Sequence, residues 1–341
     1  MNSPEPVSSA QKVYVHRHAA HCESGAVSSL LRHYGVDISE AMVFGISSAL
    51  LFAHFPFIKV EGFPLTAYRA MPGAIVTSMG RALGVKMQRE RFRDPQRGME
   101  RLDELLGRGE VVGLQASVYW LPYFPPNMRF HFNAHNMVAY GKQGAGYLIS
   151  DPVAEFPVTC PVADLQKARF VKGLFAPKGL IYYPVDIPVQ IDLRTAVARA
   201  IKRSSLVMLH TPLPFIGVRG IRYLAGRIRR LGEHSRDALY PLLYIGTIIR
   251  MQEEIGTGGG GFRFVYASFL QEAAQKFSEP RLQEASELMT RSGDAWREFA
   301  LLGARFCKKR SAVTLDQLAD AMLVCADYEA DAFRRLRSIR L

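Results

Sequence analysis

Apolar positions in the first half of the chain recur first at helical and then at strand spacing. From Cys22 onward, Ala26, Val27, Leu30, Leu31 and Tyr34 form an i, i+4, i+8 stripe that stops at Gly35, which predicts an amphipathic helix with a glycine terminator. A second helix is predicted around residues 39–52, then an irregular Pro/Gly stretch through Gly73, a third helix over PGAIVTSMGRALG and a fourth over PQRGMERLDELLGRG. EVVGLQASVYWL, RFHFNAHNMVAYG, GYLISDP and KGLIYYPV follow as strand-like runs between glycine and proline punctuation. Helices followed by a strand meander predict an α+β unit with an antiparallel sheet.

After VDIPVQID the pattern turns helical. In RLQEASELMTRSGDAWREFALL, the residues Leu282, Ala285, Leu288, Met289, Ala295, Trp296, Phe299 and Leu302 return at helical intervals. Two domains are expected, residues 1–188 and a mainly α-helical 189–341 that contains the glycine run 256–261. A length of 341 residues accommodates both.

With 48% apolar and 22% charged residues the chain belongs with folded globular proteins. Residues 1–16 are polar with two prolines, and no apolar run approaches about 20 residues, so no integral membrane segment and a cytoplasmic location are expected. The four cysteines, Cys22, Cys160, Cys307 and Cys325, lack CxxC spacing and are expected as thiols. The net charge of +12 favours an acidic partner, and much of it falls between Arg194 and Arg236. No zinc-finger, RNP or basic-zipper pattern points to nucleic acid. A solvated helical face is the plain alternative for that basic run.

The chemistry-bearing residues begin with HRHAAHC. Cys22 at the start of a helix would have its thiolate favoured by unpaired backbone N–H groups and the helix dipole. His131 and His135 are both candidate bases, which a strand's two-residue period would place on one face. His135 is preferred, because its strand ends at Gly141 and the returning strand carries Asp151, which antiparallel pairing brings alongside. A carboxylate there would orient the imidazole and support its cationic form.

A cysteine opening a helix, a later strand-borne histidine and an aspartate one strand further on resemble papain-like cysteine peptidases. More closely, HCESGAVSSLLRHYG, FHFNAHNMVAYG and LISDP resemble the N-terminal domain of butirosin biosynthesis protein H, and IGTGGGGFRFVYASFLQEAA resembles its usual C-terminal companion domain. The resemblance implies a papain-like fold followed by a helical domain. It also implies an acyltransferase that moves an acyl group from the phosphopantetheine thioester of an acyl carrier protein to a small amine in natural-product assembly, with no resident cofactor. By matching position, Cys22 is the implied nucleophile, His135 the base and later acid, and Asp151 the orienting group. Papain-like enzymes place a glutamine oxyanion donor six residues before the cysteine; here His16 stands there, with His18 as the alternative and the Cys22 backbone N–H as second donor.

Competing readings remain open at this level. A cysteine hydrolase would use the same unit, and a non-catalytic binding protein would keep the scaffold. A metal site could draw on His16, His18, His21 and Cys22 with His131 and His135, although the second ligand pair of structural zinc is missing, and no metal is expected. The glycine run lacks the Lys-Ser/Thr ending of a phosphate loop. Gly258, Gly259, Gly260, Gly261 and Phe262 are expected to border the acyl or pantetheine tunnel. Arg227, Arg229 and Arg230 are expected to dock the acidic carrier protein. The acyl chain, the amine and the oligomeric state are open, a homo-oligomer included.

Overall fold

A computed structural model describes residues 13–60, 62–233, 239–254, 258–308 and 312–341. In chain order the elements are α1 (Cys22–His33), α2 (Glu40–Ile46), β1 (Leu50–Val60), β2 (Phe63–Arg69), α3 (Ala74–Leu83), β3 (Lys86–Glu90), α4 (Pro95–Gly107), β4 (Val112–Ala116), β5 (His135–Gln143), β6 (Gly146–Ser150), β7 (Val158–Pro161), α5 (Val162–Phe170) and β8 (Ile181–Asp186). Helices α6 (Leu193–His210), α7 (Gly217–Arg229), α8 (Tyr240–Glu253), α9 (Arg263–Phe277), α10 (Pro280–Cys307) and α11 (Leu315–Ser338) complete the chain. The result is an α+β arrangement with antiparallel pairing followed by a helical C-terminal region. No helix among the described residues is long and apolar enough to cross a membrane.

The chain divides into two compact units, residues 1–38 with 87–185, and residues 39–86 with 186–341. In the first, a six-stranded sheet runs in the order β3-β8-β4-β5-β6-β7. The meander from β4 to β7 is antiparallel, with Leu114 opposite Met137 and Val138 opposite Ser150. Leu114, Ala116, Met137, Ala139 and Ile149 pack with Met99, Leu102 and Leu105 of α4 and with Leu165 and Ala168 of α5. Asp94 caps α4, accepting from the Arg97 amide, with Pro95 at the first helical position where its missing N–H costs nothing. Helix α1 lies against β4 and β5, its Ala26, Val27, Leu30 and Leu31 fully buried.

The stretch 39–86, expected to continue the N-terminal domain, packs with the C-terminal helices instead. Helix α2 ends at Ile46, and residues 50–69 form a two-stranded hairpin where a longer helix and an irregular stretch are expected. Burial along β1 is concentrated in its first half, at Leu50, Phe52, Ala53 and His54, and the aromatics Phe52, Phe55 and Phe57 suit a strand. The hairpin is tied into the second unit by the His54 amide, which donates to Phe215 O at 2.9 Å, and by the buried His54 ring between Thr66 Oγ1 at 2.9 Å and Tyr244 Oη at 3.0 Å. Gly45 lets α2 approach α9 so closely that a Cβ there would fall 2.0 Å from the Phe269 ring.

An ion pair lies at the centre of the second unit. Arg263 and Glu329 are both fully buried, with Nε to Oε1 at 2.8 Å and Nη2 to Oε2 at 3.1 Å. Trp296 Nε1 donates to the same carboxylate at 2.6 Å, and Arg263 Nη1 donates to Gly261 O at 2.6 Å. Removing one partner of such a pair strands the other charge in the core. Glu329→Ala should therefore lose about 3–5 kcal/mol of stability in urea unfolding, and a loss below about 1 kcal/mol would show that the guanidinium finds water there.

Candidate active site

Cys22 occupies the first helical position of α1. His21 is the N-cap, its Nδ1 accepting from the Ser24 amide at 3.3 Å. The Cys22 amide has no acceptor within the helix and points out of its positive end, as any first-turn N–H does. His135, the first residue of β5, is hydrogen-bonded to the Cys22 side chain. Val138 stands opposite Ser150, so the register puts Asp151 level with Met137 and on the same side as His135, two residues along. The consequence is a 2.6 Å contact between His135 Nε2 and Asp151 Oδ2. With Nε2 held by the carboxylate, Nδ1 is the ring nitrogen available to the sulfur.

All three side chains are buried, Cys22 at 5% exposure, His135 at 4% and Asp151 at 0%. Burial works against a charge on the His135 ring, but the charge of Asp151 and its hydrogen bond, joined by Cys22, outweigh it and hold His135 up to about 10. The ring is thus cationic at neutral pH and donates on both sides. Asp151 is satisfied by two further donors, the Tyr123 hydroxyl to Oδ2 at 2.8 Å and the Val153 amide to Oδ1 at 3.2 Å. Burial, then the Asp151 charge, push the Tyr123 hydroxyl well above its ordinary range, so it stays a donor. Phe124 packs edge-on against the His135 ring at 5.6 Å. Among the other thiols, burial pushes Cys160 up to about 12 and Cys325 well above the usual thiol range, and it raises Cys307. Cys22 instead lies at a helix start with its side chain hydrogen-bonded to the His135 imidazole, a setting suited to nucleophilic attack.

The turn after β6 is clamped to the start of α1. The Ala19 amide donates to Pro152 O at 2.6 Å, and a Cβ on Gly25 would lie 2.6 Å from Ala19 Cβ and 2.7 Å from Pro152 Cβ. The glycine of CESG is thus what lets the aspartate-bearing turn reach the cysteine.

Residues 163–336 match the family described as Domain of unknown function (DUF4872). The chain belongs to that family. Residues 21–152 match Butirosin biosynthesis protein H, N-terminal, so the DUF4872 region is preceded by a domain of that type. This second match runs from the residue before Cys22 to the residue after Asp151. Among solved structures, a Bacillus anthracis protein described as a C39-like peptidase is 12% identical, over 51% of this chain and 96% of its own, with a TM-score of 0.35. No curated protein matches the chain.

Several expected site residues of this DUF4872 protein lie elsewhere. His16 Nε2 is 3.1 Å from Ala154 O, which can only accept, and Nδ1 is 2.7 Å from Ser150 Oγ. Both ring nitrogens of His16 are therefore engaged, one by a carbonyl and one by a hydroxyl, where an oxyanion donor is expected. His131 precedes β5 and stacks on Tyr119 at 4.2 Å, so it does not share a strand face with His135. His18 is exposed. Among the described residues, no group of three or more His, Cys, Asp or Glu side chains is placed to hold a metal ion.

Arg227, Arg229 and Arg230, expected to dock a carrier protein, are all exposed, and each has a partner within this chain. Arg229 pairs with Asp316 at 3.0 Å and with Asp320, Arg230 Nε donates to Gly226 O at 3.2 Å, and Arg227 is hydrogen-bonded to the buried Tyr244. Gly258 to Phe262 belong to the second unit, all with left-handed φ. The Gly260 amide donates to Glu253 Oε1 at 3.1 Å, and a Cβ on Gly261 would meet Tyr68 at 2.5 Å. Their glycines answer to close packing. Gly256, Thr257 and Arg236 lie outside the described residues. Tyr123 and Phe124 were legible only as aromatics in a Pro-rich stretch, because no periodicity marks their contacts with Asp151 and His135.

Two outcomes follow from this geometry. His135 rises from 6.5 to about 10 on folding, so the pair's stabilisation is whole below pH 6.5 and is lost as pH rises towards 10. Urea unfolding across that window should show wild-type stability falling with pH and a flatter slope in Asp151→Asn; equal slopes would contradict the paired cation. Gly25→Ala should cost about 1–3 kcal/mol and slow alkylation of Cys22 by iodoacetamide. Gly107→Ala, where a Cβ meets nothing within 4 Å, should change neither.

Proposed function

We propose that this protein is a cysteine-dependent acyltransferase that takes an acyl group from a carrier-protein thioester and passes it to an amine. The observation that carries the reading is the buried hydrogen-bonded series Cys22, His135, Asp151 at the head of α1. The match of residues 21–152 to the butirosin biosynthesis protein H N-terminal family, which encloses all three, supports a biosynthetic acyl acceptor over a buried structural thiol.

In this scheme the Cys22 sulfur attacks the thioester carbon as a thiolate, forming a C–S bond while the carbonyl π electrons move to oxygen. The Cys22 amide at the first helical position donates to that oxygen. Collapse expels the carrier's sulfur, which takes the proton held on His135. The acyl-enzyme is then attacked by the amine nitrogen, His135 accepts the proton that nitrogen loses, and Cys22 leaves as thiolate. Exchange of one thioester for another is close to isoenergetic, which suits a sulfur nucleophile. Asp151 keeps Nε2–H engaged throughout, so the ring presents one nitrogen to the reacting groups. Water in place of the amine would make the same apparatus a hydrolase.

Intact-protein mass spectrometry after mixing with acylated carrier protein provides the test. Wild type should gain the acyl mass on Cys22 and lose it on addition of amine, with the acylated amine as product; Cys22→Ala should gain nothing. Loss of the adduct at equal rate without amine would assign the hydrolase, and no adduct on wild type would remove the reading.

A further inference from the structure

The second unit carries a cleft of about 580 Å³ between the end of α6, the start of α7 and the end of α11. Its wall holds Arg219 and Arg222 from α7, Arg334 and Arg337 from α11, and His210 from α6, with no acidic residue among the lining side chains. Each arginine pair is spaced i, i+3, so both members of a pair share a helix face, and the two pairs look into one volume. Leu209 and Val218 give it an apolar floor.

The surrounding carboxylates leave much of this charge unanswered. Arg222 pairs with Asp327 at 2.7 Å. The neighbouring Arg335 turns to Asp331 and Glu284, at 3.4 and 3.7 Å. Among the described residues, Arg219, Arg334 and Arg337 have no carboxylate partner: Arg219 reaches only Pro212 O at 3.4 Å, and Arg337 donates to the His210 ring. Converging guanidiniums that donate to a carbonyl and an imidazole have donors in place for an anion. A single carboxylate would neutralise only one of them. The planar forks of arginine match phosphate oxygens in pairs, and a phosphate brings more than one charge. The first turn of α7, which contributes Val218 and Arg219, adds the positive end of a 13-residue helix. The volume falls in the range of small-molecule sites, and the apolar floor suits an organic body.

We propose that this cleft binds the phosphate end of a phosphorylated small molecule, with Arg219 and Arg334 as the principal ligands from the two facing helices. The site is independent of the chemistry at Cys22, and its test needs no turnover. Isothermal titration of the full chain with inorganic pyrophosphate at about 0.15 M salt should give saturable one-to-one binding. Arg219→Ala/Arg334→Ala should weaken it by about tenfold or more. Arg81→Ala/Arg203→Ala removes the same charge from a smaller basic pocket on α3 and α6 and should leave the affinity within about twofold. Absence of saturable heat in wild type would overturn the proposal, as would equal loss in both double variants, which is the mark of net charge alone. Both variants change exposed side chains, and far-ultraviolet circular dichroism checks that each retains the wild-type helix content.

Discussion

The clamp between the turn after β6 and the first turn of α1 is the constraint on which the site depends. One backbone hydrogen bond, Ala19 N–H to Pro152 O, and one side chain that is absent, at Gly25, bring two segments over 120 residues apart into contact. Everything chemical follows from that approach. Cys22 is fixed by its place at the helix start, Asp151 by its place after β6, and His135 is held between them by the N–H it donates to each. A methyl group at Gly25 would act on the geometry of the candidate site without touching Cys22 Sγ, His135 or Asp151.

Such a site needs charge in a dry place, and both units solve that problem with saturating donors. Asp151, fully buried, receives His135, Tyr123 and the Val153 amide; Glu329, fully buried, receives Arg263 and Trp296. A buried carboxylate with one partner would pay a desolvation penalty it could not recover, whereas one met by several donors offsets that penalty and fixes its neighbours in place. In the first unit the beneficiary is an imidazole that can carry a proton. In the second it is an arginine that cannot lose one, so that pair is architectural. The same electrostatics yields a reactive centre only where the cation titrates.

Much of this was legible in the chain because it rests on short-range pattern. The stripe from Ala26 to Tyr34 with Gly35, the strand runs around His135 and LISDP, and the helical spacing near Trp296 each report a local period that packing then uses. What was misread depends on long-range contact. Residues 50–69 contain Pro56, Gly62 and Pro64, which suit a loop, yet they pair as a hairpin because His54 and Phe52 find partners beyond residue 210. His16 sat at the position expected for an oxyanion donor, but its two nitrogens met Ser150 and Ala154, contacts 134 and 138 residues away. Tyr123 escaped as a site residue because a hydroxyl's partner has no sequence period at all.

Charge is the sharpest case of a property that composition counts and direction decides. The arginine-rich 194–236 region suggested a docking face at residues 227–230, where the arginines are closest together in sequence. On α7, however, Arg222, Arg227 and Arg229 are spaced by five and two residues, which sends their guanidiniums to different neighbours: Arg229 across to Asp316 and Asp320, Arg222 to Asp327, Arg227 to Tyr244. Those that the acids of α11 do not meet are separated in sequence and gathered in space, Arg219 with Arg334 and Arg337. A run of like charge is therefore diluted by the helix that carries it, and a cationic site arises where two helices each leave a pair facing the same volume. Density along the chain and density in space are different quantities, and only the second can bind an anion.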